Sequence, residues 1–527
     1  MAETPMNTKM LSLVPTNGTE FDVTQGQKVI FELPPNLGLV KGRDSYLCLD
    51  VCNTSSQQNR LGFNGSAGVD ALISRVDIYS LRDGTHLETL QHYNQWSAIT
   101  HQYLFEDKTN LQSLQGCGEK VYSNDNVSGV RTPVQLKGNN VPDQMLSPLI
   151  STDGTNAYNF RRYTTPLKAG IFRYWDDERL CPVLAFGGLR IEFTLENPDV
   201  CLHQLQTAGL NAAGAAAKIE PEPALAVAAQ VTGLKCQDNG GLTTVFVAEA
   251  VTIENCGLAV GNVVDIFGDQ GGGNIKTGDA RTITALATAG ANVNVTISGA
   301  QIAASTANSI KLATINKAAK VRPQFRVVSV IPPQQMISEV AGGLTYEFTS
   351  YDFHISSLLA AATQHQVELN SVATKALCIL SSFNNITGQS AACDSTYFRG
   401  SDATQLNLTE VQYFLNNRLQ PVRAYNPQVS NQRIIAQHEV AKSLDVLNYE
   451  AKDLGNTDGA NLEIYTNSFL IGRQLAKRPY YYDLKDAEGQ IRLGFSGVRA
   501  DNHNINTFVW SKKVVNVGAG AELAVVL

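Results

Sequence analysis

Three carboxylates stand in a row at Asp176-Asp177-Glu178, directly after Trp175, and general acid–base chemistry is what such a group would offer. That chemistry needs two carboxyls in different environments across a cleft, one protonated and the other ionised. Three consecutive acids on one turn share an environment, so the run reads as a solvated turn. Gly271-Gly272-Gly273-Asn274-Ile275-Lys276-Thr277 resembles a phosphate loop after a strand. Ile275 occupies the place where a glycine must precede the lysine, and no helix follows to aim its N–H groups at a phosphate. The stretch reads as a glycine-rich hairpin loop. His438-Glu439 opens like a zinc-protease helix, but Lys442 stands where the second histidine is required, and one ligand does not hold the metal. Gly494-Phe495-Ser496-Gly497-Val498 lacks the second glycine position of a nucleophile elbow. His86 and His92 merely flank a strand end. Cys48 and Cys52 lie four apart on one face of a strand-like run. With nine cysteines, an odd number, and no CxxC, they read as ordinary buried thiols. Tyr480-Tyr481-Tyr482 could stack on bases or sugars. Consecutive tyrosines on extended chain cannot all face one ligand, so a core or interface role fits better. No residue is therefore assigned a catalytic, cofactor-binding or metal-binding role, and the chain does not read as an enzyme.

The composition points elsewhere. Hydrophobic residues make up 43% of the 527, enough for large cores. Charged residues are only 17%, against an average of about 25%, which suits a chain that gives surface to neighbours. The net charge is −7 and no block of Lys and Arg stands out, Lys512 and Lys513 being merely adjacent. A nucleic-acid coat needs a basic patch or arm, so direct nucleic-acid contact is not expected. No apolar run approaches the ~20 residues that span a bilayer, and residues 1–22 lack the pattern of a signal peptide. The expectation is a soluble chain made in the cytosol. Sequons at Asn17, Asn53, Asn64, Asn126, Asn294, Asn385 and Asn407 then read as chance in an Asn- and Thr-rich chain.

The elements that remain are strands. Leu189–Leu195 alternates apolar and polar residues, the period of a strand with one buried face. Residues 28–33, 46–51, 72–81 and 86–90 are similar runs, punctuated by Pro34-Pro35-Asn36, Asp83-Gly84 and Gly187-Gly188. Asp83-Gly84 between two runs predicts a hairpin. Trp96, Ile99 and Tyr103 recur at helical spacing within 93–105, and Val440, Leu444 and Leu447 do so within 432–447. Residues 411–415 fit strand or helix. From 203 to 320 the texture changes to Ala, Gly, Thr and Val, opening on an alanine run at 212–217 and Glu220-Pro221-Glu222-Pro223, which reads as a linker into an inserted β domain. After 321 the first texture returns, with strands at 325–331, 344–348, 375–380, 462–465, 491–495 and 507–517. Short strands, frequent turns and one helix per half suggest two similar β sandwiches in tandem.

At Asp70-Ala71-Leu72-Ile73-Ser74-Arg75-Val76-Asp77-Ile78-Tyr79, Asp83-Gly84, Leu87-Glu88-Thr89-Leu90 and Tyr93-Asn94-Gln95-Trp96, the chain resembles the first jelly roll of double-jelly-roll viral major capsid proteins, those of polinton-like viruses, virophages and large-DNA-virus lineages. Arg418-Leu419-Gln420-Pro421, the 432–447 helix and Asn506-Thr507-Phe508-Val509-Trp510 are similar to the second. The resemblance covers about 20–200 and 320–517, and it favours a strand at 411–415. It implies an all-β fold of two tandem eight-stranded antiparallel jelly rolls with short helices in loops. The expected parts are an N-terminal arm (1–22), jelly roll 1 (23–202), an inserted, outward-facing β domain (203–320), jelly roll 2 (321–517) and a tail (518–527). It also implies homotrimeric, pseudo-hexagonal capsomers tiling an icosahedral shell, with neighbouring capsomers, penton and minor capsid proteins as partners. The location would be the virion, assembled in the host cytoplasm or nucleus. The 203–320 insertion departs from the minimal pattern. A fibre or adhesin with the insert as receptor-binding module is the competing reading, followed by a carbohydrate-active enzyme on a β scaffold.

Overall fold

The computed structural model describes residues 7–54, 60–63, 67–103, 122–125, 130–133, 160–176, 180–205, 230–237, 244–248, 260, 263–269, 274–290, 292–298, 305–314, 317–332, 343–369, 371, 373–386, 396–398, 406–415, 418–447, 469–476, 480–484, 489–499, 501–518 and 523–526. The linker read at 212–223 and the strand read at 462–465 lie outside them.

The first part of the chain forms β1 (Asn7–Leu13), β2 (Phe21–Asp22), β3 (Lys28–Leu33), β4 (Leu39–Val40), β5 (Tyr46–Asn53), β6 (Arg60–Phe63), β7 (Ile73–Ser80) and β8 (His86–Gln91). Helix α1 (Tyr93–Tyr103) follows, then β9 (Tyr122–Asp125), β10 (Val130–Pro133), β11 (Arg161–Pro166) and β12 (Leu189–Leu195). A short helix α2 (Pro198–Cys201) and β13 (Leu202–Leu205) lead into β14 (Gln230–Gln237), β15 (Thr244–Ala248), β16 (Val263–Asp269), β17 (Asn274–Ala289), β18 (Asn292–Ile297) and β19 (Ser305–Thr314). These last six close into a barrel in the order β14-β15-β18-β17-β16-β19. The chain then returns through β20 (Ala319–Ile331). The remainder is β21 (Leu344–Leu358), β22 (Gln364–Leu369), β23 (Ala376–Asn385), β24 (Leu408–Leu415), β25 (Arg418–Tyr425), α3 (Ser430–Asp445), β26 (Leu470–Gln474), β27 (Gly489–Phe495), β28 (His503–Val517) and β29 (Leu523–Val526).

Strand order defines the architecture. The second sandwich has sheets β21-β28-β23-β26 and β22-β27-β24-β25. Counting its strands along the chain, these are 1-8-3-6 and 2-7-4-5, the double Greek key of a jelly roll. In the first sandwich the sheets are β1-β20-β5-β11 and β3-β12-β7-β8, the same order with β1, β3, β5, β7, β8, β11, β12 and β20 as strands one to eight. Each sandwich places its helix, α1 or α3, between the fifth and sixth strands. The chain is a double jelly roll, with the barrel inserted between the seventh and eighth strands of the first half.

Local sequence explains the elements. In β3, Val29, Phe31 and Leu33 are buried while Lys28 and Glu32 face water, the alternation of a strand covered on one side. The hairpin β7–β8 turns at Asp83-Gly84: Gly84 takes φ +73°, and the Thr85 amide donates to the Asp83 carboxylate at 3.0 Å. Strand β23 (ALCILSSFNN) does not alternate, because nearly all of it is buried on both faces. Val440 and Leu444 of α3, and Leu447 in the turn just after it, are all buried, at the spacing read from the sequence. Residues 411–415 are strand.

Three expected boundaries move. Residues 7–22 are not a free arm: β1 pairs with β20 from Asn7↔Ile331 to Leu13↔Phe325, and β2 pairs with its other end. The boundary expected at 321 falls inside β20, which pairs with β5 from Ala319↔Asn53 to Arg326↔Tyr46. Its alternating core residues Val321, Phe325 and Val327 close the first sandwich, and the second begins at β21. The expected tail folds back as β29 against β28.

Candidate functional site

The most elaborately built region is the seam between the two sandwiches. The second sandwich has its own interior, around Ile379, Tyr413, Ile491 and Val509. The outer face of its β21-β28 pair joins the core of the first sandwich in one continuous apolar cluster. The chain has three tryptophans, Trp96, Trp175 and Trp510, and the seam gathers all of them. Trp510 lies 4.7 Å from Trp96 and 4.6 Å from Trp175, ring centre to ring centre, with Tyr351 and Phe508 packed around them. Trp96 comes from α1, Trp175 from the loop after β11, and Trp510 from β28. Each such aromatic pair adds about 0.5–1.5 kcal/mol beyond its buried area. The indole N–H groups of Trp96 and Trp510 find no acceptor among the described residues, so this part of the seam is held by packing.

Polar groups flank the aromatics and fix the register. Glu88 of β8, 1% exposed, accepts from the Gly170 and Ile171 amides, both at 2.9 Å, and from the Ser350 hydroxyl of β21 at 2.5 Å. Burial pushes its carboxyl above the usual range, while these donors and the charge of Lys513 pull the other way. Asp176 accepts from the Thr349 amide at 2.7 Å and hydroxyl at 2.9 Å, and Lys512 lies 3.3 Å away. The Tyr346 hydroxyl donates to the Ile171 carbonyl at 2.7 Å, and that of Tyr351 to the Gln91 carbonyl at 3.0 Å. Gly170 is so close to the second sandwich that a Cβ there would sit 2.1 Å from the Thr349 carbonyl. At one end His92 stacks on Phe353 at 4.2 Å, and its Nδ1 is 2.9 Å from the Tyr397 hydroxyl. Burial lowers the His92 imidazole to about 4. The contacts run along the face of β21 from Tyr346 to Phe353, so the sandwiches lie side by side.

Asp176 therefore corrects the solvated-turn reading: it is 1% exposed and ties the two halves together. Asp177 and Glu178 lie outside the described residues. The other candidate groups are taken up locally. Asp269↔Asn274 joins β16 and β17 around the glycine stretch, whose residues 270–273 are outside the description. Glu439 accepts from Arg473 at 2.8 Å, leaving His438 exposed beside it. His86 sits 2.6 Å from the Thr89 hydroxyl. Tyr480 is 78% exposed, Tyr481 lies against Lys375 and Tyr482 makes a backbone bridge to Ala376, so the three do not share a face. Cys48 and Cys52 are buried. Of the sequons, Asn17 binds the Lys28 carbonyl and Ile30 amide, Asn385 binds Asp501, and Asn407 binds the Val498 carbonyl. Among the described residues no cluster of three His, Cys, Asp or Glu could hold a metal, and no helix is long and apolar enough to cross a membrane. Sequence reasoning missed the seam. Its only local signal was the tryptophans, set among apolar runs in both halves.

The strand order and the seam define a double jelly roll. No protein-family model and no curated protein sequence matches the chain. Among solved structures, the Faustovirus major capsid protein is similar at 10% identity and a TM-score of 0.49, over 97% of this chain and 90% of that one. A quasi-atomic model of the PBCV-1 virus capsid gives 10% and 0.49 over 100% and 98%. The mavirus major capsid protein gives 10% and 0.40 over 98% and 90%. At these values the fold assignment rests on the strand order of the chain itself.

Proposed function

We propose that this chain is a structural shell subunit, a major capsid protein whose homotrimers have a pseudo-hexagonal outline and tile a closed virion shell. One observation carries the reading: two jelly rolls of identical strand order are fused side by side through a buried aromatic seam. That contact is heterologous, joining the fifth-strand and helix side of one sandwich to the first-and-eighth-strand face of the other. A heterologous contact repeated between copies makes a ring when its rotation closes. Two sandwiches per chain and about 60° per step would close the ring with three chains. The buried aromatic and polar side chains of the seam are spent on positioning one sandwich against the next, as a wall-building protein requires. The reading carries with it self-association as the main binding activity, penton and minor capsid proteins as further partners, and an outward-facing barrel. The test is the mass of the purified chain in solution with negative-stain microscopy. Three times the 57.0 kDa chain mass and hexagonal outlines are expected. A stable monomer at micromolar concentration would overturn the proposal.

A further inference from the structure

One ion pair of the first sandwich is buried on both sides and has a third reactive group beside it. Asp70 lies in the 3-10 turn Gly68–Leu72 before β7, and Lys168 in the loop after β11. The Lys168 Nζ is 2.5 Å from Asp70 Oδ2, and the two side chains are 3% and 0% exposed. The lysine of the Lys28–Glu192 pair, by contrast, keeps 52% of its side chain in water. Two side chains one turn apart on α1 complete the cluster. Lys168 Nζ is 3.3 Å from the Ser97 hydroxyl and 3.0 Å from His101 Nε2. His101 Nε2 also lies 3.8 Å from Asp70 Oδ2. The Lys168 amide donates to the Tyr93 hydroxyl at 3.1 Å, which fixes the backbone of the lysine.

Taking both charges out of water is costly, and only close pairing offsets it. Burial pushes the Asp70 carboxyl up, but Lys168 and His101 hold it below its ordinary value, so the pair rests ionised. A nitrogen in contact with a carboxylate oxygen lies about 3–3.5 Å from the carboxyl carbon, the separation from which a bond forms. Passing a proton from the ammonium to the carboxylate leaves the net charge unchanged and gives an amine beside a carboxylic acid. Condensation of these two removes both buried charges, and the closed core keeps bulk water from reversing it.

We infer that Lys168 and Asp70 join in an amide cross-link inside the first sandwich, with His101 as the proton relay. One Nζ proton passes to the carboxylate, and the freed lone pair of Nζ adds to Asp70 Cγ. His101 Nε2, which faces the ammonium with its own lone pair, takes a second Nζ proton and hands it to the departing hydroxyl. The C–O bond to that hydroxyl breaks. The products are an amide, which keeps the last Nζ hydrogen, and one water, with no oxidant or co-reactant. The loop that carries Lys168 runs on to Gly170, Trp175 and Asp176, so the bond anchors the seam loop to the turn before β7. It closes a span of 98 positions, and such a closure restricts the unfolded chain as a disulfide does. The five described cysteines are all free.

The test is mass spectrometry of the full chain, denatured and with its thiols reduced, followed by tryptic mapping. The expected wild-type mass is lower than that of the unlinked chain by one water, about 18 Da. Mapping should give one branched peptide holding both Asp70 and Lys168, with no cleavage after Lys168. Lys168→Arg should restore the full mass, and His101→Gln should lower the linked fraction. A wild-type chain of full mass that trypsin cuts after Lys168 overturns the cross-link, whatever the variants do. So does a water loss that persists in Lys168→Arg. A His101→Gln chain linked as completely and as fast as wild type overturns the relay.

Discussion

His92 shows how one side chain couples the seam to pH. It sits in the left-handed region at φ +50°, between β8 and α1, with its ring against Phe353 of the second sandwich. Burial lowers its imidazole from 6.5 to about 4, so the unfolded chain binds the proton more readily over that interval. Stability is then fully present above about 6.5 and falls as the pH drops towards 4, by up to roughly 3 kcal/mol. Glu88, raised by burial, works in the opposite sense, since the folded state holds its proton longer. Replacing His92 with Gln should flatten the acid-side loss of melting temperature between pH 6.5 and 4; an unchanged slope would remove His92 as its source. Gly170 makes the second residue-scale prediction. An alanine there must displace the Thr349 backbone, and Gly170→Ala should cost about 3 kcal/mol, read as a lower denaturant midpoint with red-shifted tryptophan emission. In the sequence His92 read only as flanking a strand end and Gly170 did not stand out, and Asp176 was misread, because burial of a short polar side chain depends on a partner strand some 170 positions away.

Elements were more legible than residues. The β7–β8 hairpin, the alternating Leu189–Leu195 strand and helices α1 and α3 follow from local pattern, because one-sided burial writes its period into the sequence. Strands buried on both faces, such as β23, gave weaker signals. The ends of the jelly rolls were misplaced for a topological reason: the first strand of a sandwich pairs with its eighth, and here the barrel separates them. The arm-like composition of residues 1–22 likewise hid β1. Deleting residues 1–13 should remove the strand that pairs seven residues of β20 and expose an open sheet edge. Lower urea stability and concentration-dependent aggregation are expected. A truncated chain with wild-type stability would show that β1 is dispensable to the first sandwich.

At the scale of the molecule, the shared cluster makes the two sandwiches one thermodynamic body. All tryptophan emission comes from the seam, whereas circular dichroism reports strands in both halves. The two signals should change together on unfolding of the sandwiches, with a common midpoint; emission changing first would mean that the seam opens before the sandwiches melt. The inserted barrel is built differently, for its opening strand β14 lies hydrogen-bonded to its closing strand β19. A loop whose entrance and exit are neighbours can be cut out and bridged without stretching what it was plugged into. Replacing residues 206–316 with a short Gly-Ser bridge should leave the rest folded with an intact tryptophan signature. If that holds, the insert is a cassette: its sequence can drift, be exchanged or be lost while the two sandwiches keep their shape.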